Sequence, residues 1–206
     1  MESIWLWPLA LVAFLLAWPA LRPLAARLFA DRLRPQALAA QPDRVYLLRV
    51  VHANWRQLQS REAAERQLAT AGFVEAGIYV VREMPELTLG LHAHPGESAY
   101  AVLYDHPRSG FWTEFVTRYT DGTIATYTTL EPVEVDTPPG SVHVAEPGLA
   151  PGQLWKKMLA ERPNKAMRAC ERARAAQDFE RGYAESVAYH KGRQASVEEE
   201  EVRAVA

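Results

Sequence analysis

The feature that most limits the fold is an alternation of apolar and polar side chains, with a period of two residues, between Gly77 and Leu130. In "LTLGLHAH", residues 87–94, Leu and Ala alternate with Thr, Gly and His. Successive side chains of a strand point to opposite faces of a sheet, so this period of two predicts β-strands. Turn residues such as Pro95-Gly96 separate the segments, and "SAYAVLYDH" follows as a partner strand. Short strands joined in series by tight turns predict an antiparallel β-meander.

The segment "FWTEFVTRYTDGTIATYTT", residues 111–129, gives the clearest hairpin signal in the chain. Asp121-Gly122 suits a two-residue type I′ turn, because both central positions of that turn need a positive φ. A turn at this position places Tyr119 opposite Ile124, and Val116 opposite Tyr127.

Helical patterns flank the strands on both sides. Ser60 is a candidate N-cap for a helix over residues 61–71 that ends at Gly72. After "TPPG", apolar residues recur at helical spacing in residues 152–163 and again in residues 164–190. "SVEE" at 196–199 has the form of a capping box that opens a last short helix. Helices around one antiparallel sheet predict the α+β class, with flanking and C-terminal helices packed on the meander.

The N-terminus predicts a different environment. The run "IWLWPLALVAFLLAWPAL", Ile4 to Leu21, contains no charged residue. A bilayer core of roughly 30 Å needs about 20 apolar residues in a helix, so we expect this run to span a membrane. A cleaved signal peptide would begin with positive charge, whereas only Met1, Glu2 and Ser3 precede the run. We therefore expect a transmembrane anchor and basic juxtamembrane stalk in residues 1–34, and a soluble α+β domain in residues 35–206.

Charge predicts the orientation of this anchor. Arg22, Arg27, Arg32 and Arg34 all follow the apolar run, and Glu2 is the charged side chain before it. The positive-inside rule then places the N-terminus outside and the C-terminal domain in the cytoplasm, as a single-pass protein of the cytoplasmic (inner) membrane. The formal net charge of −2 gives no attraction for nucleic acid, so the expected partners are the lipid bilayer and another membrane or membrane-associated protein.

Two short motifs raise the possibility of a metal site. "HAHPGE" and "PPGSVH" resemble the H-x-H…E and P-x-G-x-x-H motifs of the cupin family of small β-barrels, which bind metal. The resemblance implies His92, His94, Glu97 and His143 as ligands. However, Glu97 follows after two intervening residues where the cupin pattern has three or four, and a half-buried strand would turn both histidines to solvent. We therefore expect a solvated histidine pair, with no metal and no cofactor.

The other reactive side chains form no recognisable catalytic set. Asp105 and His106 are adjacent on a strand and point to opposite faces, so they are poorly placed as a pair. Ser109 lies in a turn without the G-x-S-x-G context of a nucleophile. Cys170 falls on the apolar side of a predicted helix, where burial makes a thiol inert. The sequence therefore predicts no catalytic residue, and it favours a protein that is not an enzyme.

One aromatic residue is a candidate for partner binding. Trp112 falls on the predicted polar face of its strand, beside Glu114 and Arg118. Tryptophan is enriched at protein interfaces, so an exposed indole here is a possible anchor for a partner. A position beneath one of the C-terminal helices is the alternative.

The chain from "GIYVVREMPELT" through "PPG" to "FERGYAESVAYH" resembles a family of uncharacterised bacterial proteins. The resemblance covers about residues 40–190, and its most specific parts are "RYTDGT" and "FERGYAE". It implies a bacterial source and no particular activity.

These observations lead to one main hypothesis and two alternatives. The main hypothesis is a membrane-anchored cytoplasmic protein-interaction domain, which gains effective concentration against any partner in the same membrane. The first alternative is a metal-dependent, cupin-like enzyme or small-molecule binder. The second is an accessory subunit of a membrane complex, in which Ala10, Ala13 and Ala17 permit close approach of another helix.

Overall fold

The computed structural model describes residues 41–132 and 136–205, with residues 194–205 as backbone only. The predicted anchor Ile4–Leu21 and the stalk after it lie outside the described residues. Within the described ranges, none of the helices has both the length and the apolar character needed to cross a membrane. Pro42–Tyr189 forms one compact unit. The described part of a second unit consists of Gln41 and the last turns of the final helix.

The described residues form an α+β fold with a seven-stranded sheet and three α-helices, as the sequence predicted at the level of fold class. The strands follow one another across the sheet in chain order. They are β1 (Leu47–Val50), β2 (Val74–Val81), β3 (Met84–His94), β4 (Ala99–His106), β5 (Gly110–Arg118), β6 (Ile124–Thr128) and β7 (Val142–Ala145). The helices are α1 (Leu58–Thr70), α2 (Pro151–Glu161) and α3 (Ala175–Val205).

The sheet is mixed, which corrects the expectation of a wholly antiparallel meander. Strands β1 to β6 pair antiparallel with their neighbours. Strand β7 pairs parallel to β6, with Ala125 opposite Val142 and Thr128 opposite Ala145. A parallel partner needs a crossover rather than a tight turn, and the chain between β6 and β7 supplies that crossover.

The hairpin between β5 and β6 has a register one residue away from the predicted one. Arg118 rather than Tyr119 lies opposite Ile124, and Val116 lies opposite Thr126 rather than Tyr127. The N–H of Tyr119 donates to the carbonyl of Thr123 at 2.9 Å, and Gly122 has a φ of +89°. These contacts define a three-residue loop with glycine in the left-handed region, in place of the two-residue type I′ turn.

Helices α1 and α2 cover one face of the sheet. Leu68 of α1 and Leu154, Trp155 and Met158 of α2 are buried there against Phe115 of β5. The helical spacing of apolar residues predicted for residues 152–163 therefore places three of them in the core, whereas the neighbouring Leu159 is exposed. We refer to this side of the sheet as the α1–α2 face.

The beginning of α3 covers the other face. Ala175 is buried in a second cluster that includes Leu89 and Leu91 of β3, and Phe179 and Tyr183 pack against it. We refer to this side as the α3 face. The sheet is therefore covered on both faces, and the prediction that one face of β3 is turned to solvent is wrong: His92 is 5% exposed.

The C-terminal helical pattern differs from the prediction at both ends. The helix begins at Ala175 after a 3₁₀ turn at Arg172–Arg174, and the preceding residues are extended. Met167 forms a β-bridge with Tyr119, so it is not helical. At the other end, residues 196–199 continue α3 and do not open a separate helix.

The ends of α1 show why one boundary was predictable and the other was not. Gly72 follows the C-cap with a φ of +94°, as its sequence position predicted. The N–H groups of Gly72 and Phe73 donate to the carbonyls of Ala69 and Leu68, which is the Schellman arrangement. The helix begins at Leu58, ahead of the predicted cap Ser60, and no side chain of its own caps it.

Candidate functional site

A cavity of about 300 Å³ lies between the α3 face of the sheet and the first turns of α3. Residues of five adjacent strands, β3 to β7, line it, and on β4, β5 and β6 they are alternate residues, because the strand period of two places them on one face. From α3, residues at helical spacing close the other side. The lining residues used below are Leu91, Tyr100, Val102, Tyr104, Glu114, Val116, Arg118, His143, Asp178, Phe179, Gly182, Tyr183 and Ser186.

The cavity can be reached from solvent and is mainly apolar. Leu91 and Val102 are buried in its wall, whereas His143 and Ser186 are exposed. Its volume lies at the lower end of the range for small-molecule sites, about 300–1,000 Å³. Such sites combine apolar walls with a few polar groups that orient a ligand. A larger depression between α1 and α2 is lined by Gln67 and Trp155, but its charged lining residues, Arg66 and Lys156, are exposed.

Glu114 is the most unusual group in this cavity. Burial raises the pKa of its carboxyl group from 4.5 to about 7, because an apolar environment disfavours the charged form. Its hydrogen-bond partner is the hydroxyl of Tyr104, which donates to Oε1 at 3.4 Å. Burial also raises the pKa of Tyr104 well above 10, with Glu114 as the next cause. Near neutral pH this carboxyl group therefore populates both its neutral and its charged form.

The other charged groups around the cavity are already paired. Arg118 Nη1 lies 2.8 Å from Glu185 Oε2 of α3, forming an ion pair. Asp178 accepts a hydrogen bond from Tyr100 Oη at 2.6 Å and also forms an ion pair with Arg181. The contacts of Arg118 with Glu185 and of Tyr100 with Asp178 hold α3 against the sheet, and Glu114 is left as the unpaired carboxylate of the described lining.

A glycine in α3 makes room for the Arg118 side chain. A Cβ atom built on Gly182 would overlap Arg118 Nη2. Glycine is unfavourable inside a helix by about 1 kcal/mol relative to alanine. At this position that cost allows the guanidinium group of Arg118 to approach the helix backbone closely. Gly182 belongs to "FERGYAE", a part of the sequence singled out above without a structural explanation.

The four residues of the cupin-like motif are not brought together. His92 and His94 lie on the α1–α2 face, since His94 stacks on Trp155 of α2 at 5.7 Å and β3 places His92 on the same side. His143 lines the cavity on the α3 face, and β4, β5 and β6 separate its strand from β3. Within the described residues, no group of three or more His, Cys, Asp or Glu side chains has an arrangement that could hold a metal ion.

The two histidines and Glu97 have structural contacts instead. His94 Nε2 lies 3.0 Å from the carbonyl of Ala71, and His94 Nδ1 accepts from the N–H of Glu97 at 3.2 Å. The Glu97 carboxylate forms an ion pair with Arg162 at 2.5 Å. Burial lowers the pKa of His92, so the neutral ring is favoured there.

The remaining candidates also have defined positions. Cys170 is buried, as expected, but it lies outside the helices, where its thiol donates to the carbonyl of Ala99 at 3.1 Å. Burial raises the pKa of this thiol to about 11. Asp105 is buried and accepts from the N–H groups of Arg56 and Gln57 at the start of α1. Ser109 donates its backbone N–H to His106 Nδ1 within the turn.

Trp112 is partly buried and stacks on Tyr104, with ring centroids 4.5 Å apart. It packs against the apolar cluster of the α3 face, which is the alternative position allowed by the sequence. Its use as a partner-binding residue stays a prediction. Sequence reasoning placed Glu114 beside Trp112 but gave it no role, because burial by a distant helix cannot be recognised in the strand itself.

Comparisons with protein families, with curated proteins and with solved structures give no match to this chain. The resemblance to a family of uncharacterised bacterial proteins therefore stays an expectation.

Proposed function

We propose that the domain binds a small, mainly apolar molecule in the cavity between the sheet and α3. The observation that supports this most directly is Glu114, a carboxyl group with a raised pKa in an apolar cavity that opens to solvent. A cavity with shifted pKa values and a few convergent polar groups is the usual signature of a binding site. Structural carboxylates at sheet–helix contacts are normally paired, as Asp178 is in the same cavity.

Binding fits the geometry better than catalysis does. Proton transfer in a reaction needs an acid or base within about 3 Å of the reacting group, together with a second group that stabilises charge. The nearest polar neighbour of Glu114 is Tyr104, whose raised pKa makes it a poor base. Arg118, the cation of the described lining, is already paired with Glu185.

Ligand-observed NMR on the purified full-length chain tests this proposal, with benzyl alcohol as a neutral aromatic probe. We expect saturation transfer to the probe in the wild type, and its loss in Val116→Trp, which fills the cavity. Val74→Trp is the matched control, because Val74 is 48% exposed on β2 and does not line the cavity. No transfer in the wild type, or equal transfer in both variants, would contradict the proposal.

A second candidate function is a membrane-anchored interaction domain or accessory subunit at the cytoplasmic membrane. The observation that favours it is the apolar surface around the edge strand β1, where Tyr46, Leu48 and Val51 are 43%, 47% and 84% exposed. An exposed apolar edge of this kind is typical of surfaces that contact other proteins. Together with the predicted anchor Ile4–Leu21, it points to a partner in the same membrane.

Crosslinking in membrane preparations tests this second candidate. A photo-reactive residue in place of Leu48 should trap one specific neighbour, whereas the same residue in place of the exposed Glu62 on α1 should not. Failure to trap any neighbour from Leu48 would count against an interaction at β1.

A further inference from the structure

We infer that the cavity selects a ligand that carries a cationic amine, with Glu114 as its counter-ion. This inference rests on the proposed function, because it names the chemical class of the ligand for the same cavity. Two observations carry it: the balance of charge in the lining, and the aromatic side chains that line the cavity with Glu114.

The balance of charge favours a cation. Glu114 has no cationic partner in the described part of the chain. Arg118 is neutralised by Glu185, and Asp178 by Arg181. A buried carboxylate is stabilised when an opposite charge lies within about 4–6 Å. A bound ammonium group would supply the positive charge that the described side chains do not place beside Glu114. An anionic ligand would have to compete with Glu185 for Arg118 and would also face Glu114.

Several side chains that line the cavity with Glu114 are aromatic. Tyr104, whose hydroxyl contacts Glu114, lines it together with Tyr100, Phe179 and Tyr183, and the rings of Tyr104 and Phe179 are 6.4 Å apart. The faces of aromatic rings attract cations, and the attraction reaches about 2 kcal/mol when the site excludes water. Aromatic rings around the bound cation are the arrangement that protein sites use for ammonium groups.

The pH dependence of binding follows from the groups that face the cavity. The charged form of Glu114 dominates above pH 7, so an amine should bind more tightly as pH rises through this value. His143 has a lowered pKa and becomes positive only in acid, where it would oppose a cation further. The titratable or charged groups lining the cavity are Tyr100, Tyr104, Glu114, Arg118, His143, Asp178 and Tyr183.

The test compares benzylamine with benzyl alcohol, which have nearly the same shape but differ in charge. On the full-length chain at pH 8, we expect benzylamine to bind at least ten-fold more tightly. The preference should shrink at pH 5.5, and Glu114→Gln should abolish it, since the amide keeps the shape and loses the charge. Glu62→Gln, an exposed glutamate of α1, is the matched control and should keep the preference.

The outcomes separate this inference from the proposed function. If benzyl alcohol binds and benzylamine binds no better, the cavity is a ligand site and the inference is wrong. Tighter binding of benzylamine below pH 7, or an amine preference that survives in Glu114→Gln, would overturn the inference as well. If neither probe binds at any pH, the proposed function fails along with the inference. Preference for benzylamine that is lost only in Glu114→Gln supports both.

Discussion

The carboxyl group of Glu114 links the stability of the domain to pH. Its folded-state pKa of about 7 lies above the ordinary 4.5, so the folded state binds this proton more tightly than the unfolded state does. The free energy of unfolding should therefore fall as pH rises from 4.5 to 7, and the loss persists above pH 7. The shift from 4.5 to about 7 corresponds to a loss on the order of 3 kcal/mol.

Glu114→Gln should remove this pH-dependent loss of stability. Urea unfolding at several pH values between 5 and 8 measures the free energy of unfolding of both proteins. Other groups titrate in this range, so the informative quantity is the difference between wild type and variant. His92 acts in the opposite direction, because its lowered pKa makes the folded state less stable as pH falls through 6.5. A difference that stays constant from pH 5 to pH 8 would show that Glu114 has an ordinary pKa.

Gly182 gives a prediction that departs from the usual effect of a helical glycine. Alanine in place of glycine normally stabilises a helix by about 1 kcal/mol. Gly182→Ala should stabilise the domain less than this, because the added Cβ overlaps Arg118 Nη2 and the guanidinium group must shift from its ion pair with Glu185. Gly192→Ala in the same helix is the matched control, since a Cβ there meets none of the described atoms within 4 Å. Urea unfolding should show a smaller gain for Gly182→Ala than for Gly192→Ala; equal gains would mean that Arg118 moves aside at no cost.

At the level of secondary structure, the start of α1 depends on a strand residue. Asp105 of β4 accepts from the N–H of Arg56 at 2.5 Å and from that of Gln57 at 3.3 Å. Asp105→Ala leaves these groups without their acceptor and should cost about 1–3 kcal/mol of unfolding free energy. Asp105→Asn keeps an acceptor oxygen and should cost less. Urea unfolding measures both, and hydrogen exchange at Arg56 and Gln57 should accelerate in the alanine variant.

Equal losses in the two Asp105 variants would show that packing of the buried side chain matters more than its hydrogen bonds. The same contact explains why the sequence misplaced this helix start. Ser60 has the composition of an N-cap, whereas the acceptor at the observed start is about forty-five positions away along the chain. The C-terminal end was predictable because Gly72 needs only its own backbone conformation to end the helix.

At the level of the domain, both apolar clusters lie inside Pro42–Tyr189. A polypeptide of residues 42–189 should therefore fold and unfold in one cooperative transition, because it retains every residue of both clusters. A polypeptide of residues 42–174 lacks the start of α3 and exposes the α3 face, so we expect it to lose that transition. Circular dichroism during thermal unfolding measures both; gradual unfolding of the longer polypeptide would contradict the prediction.

Local pattern was enough to identify most of the elements in this protein. A period of two indicates a strand whatever surrounds it, so β3, β4, β5 and β6 could be located from the alternation of their side chains. Glycine permits a positive φ and proline fixes its own φ, which placed the turns at Gly122 and Pro95. The α+β class follows from the order of these elements along the chain.

Contacts between distant segments decided the rest. The alternation of β3 is the same whether a face is open or covered, so the burial of His92 followed from the packing of α1 and α2. The hairpin register followed from a loop one residue longer than the predicted turn. The raised pKa of Glu114 required α3 to fold back over β5, because a strand alone would leave that carboxylate hydrated and ordinary.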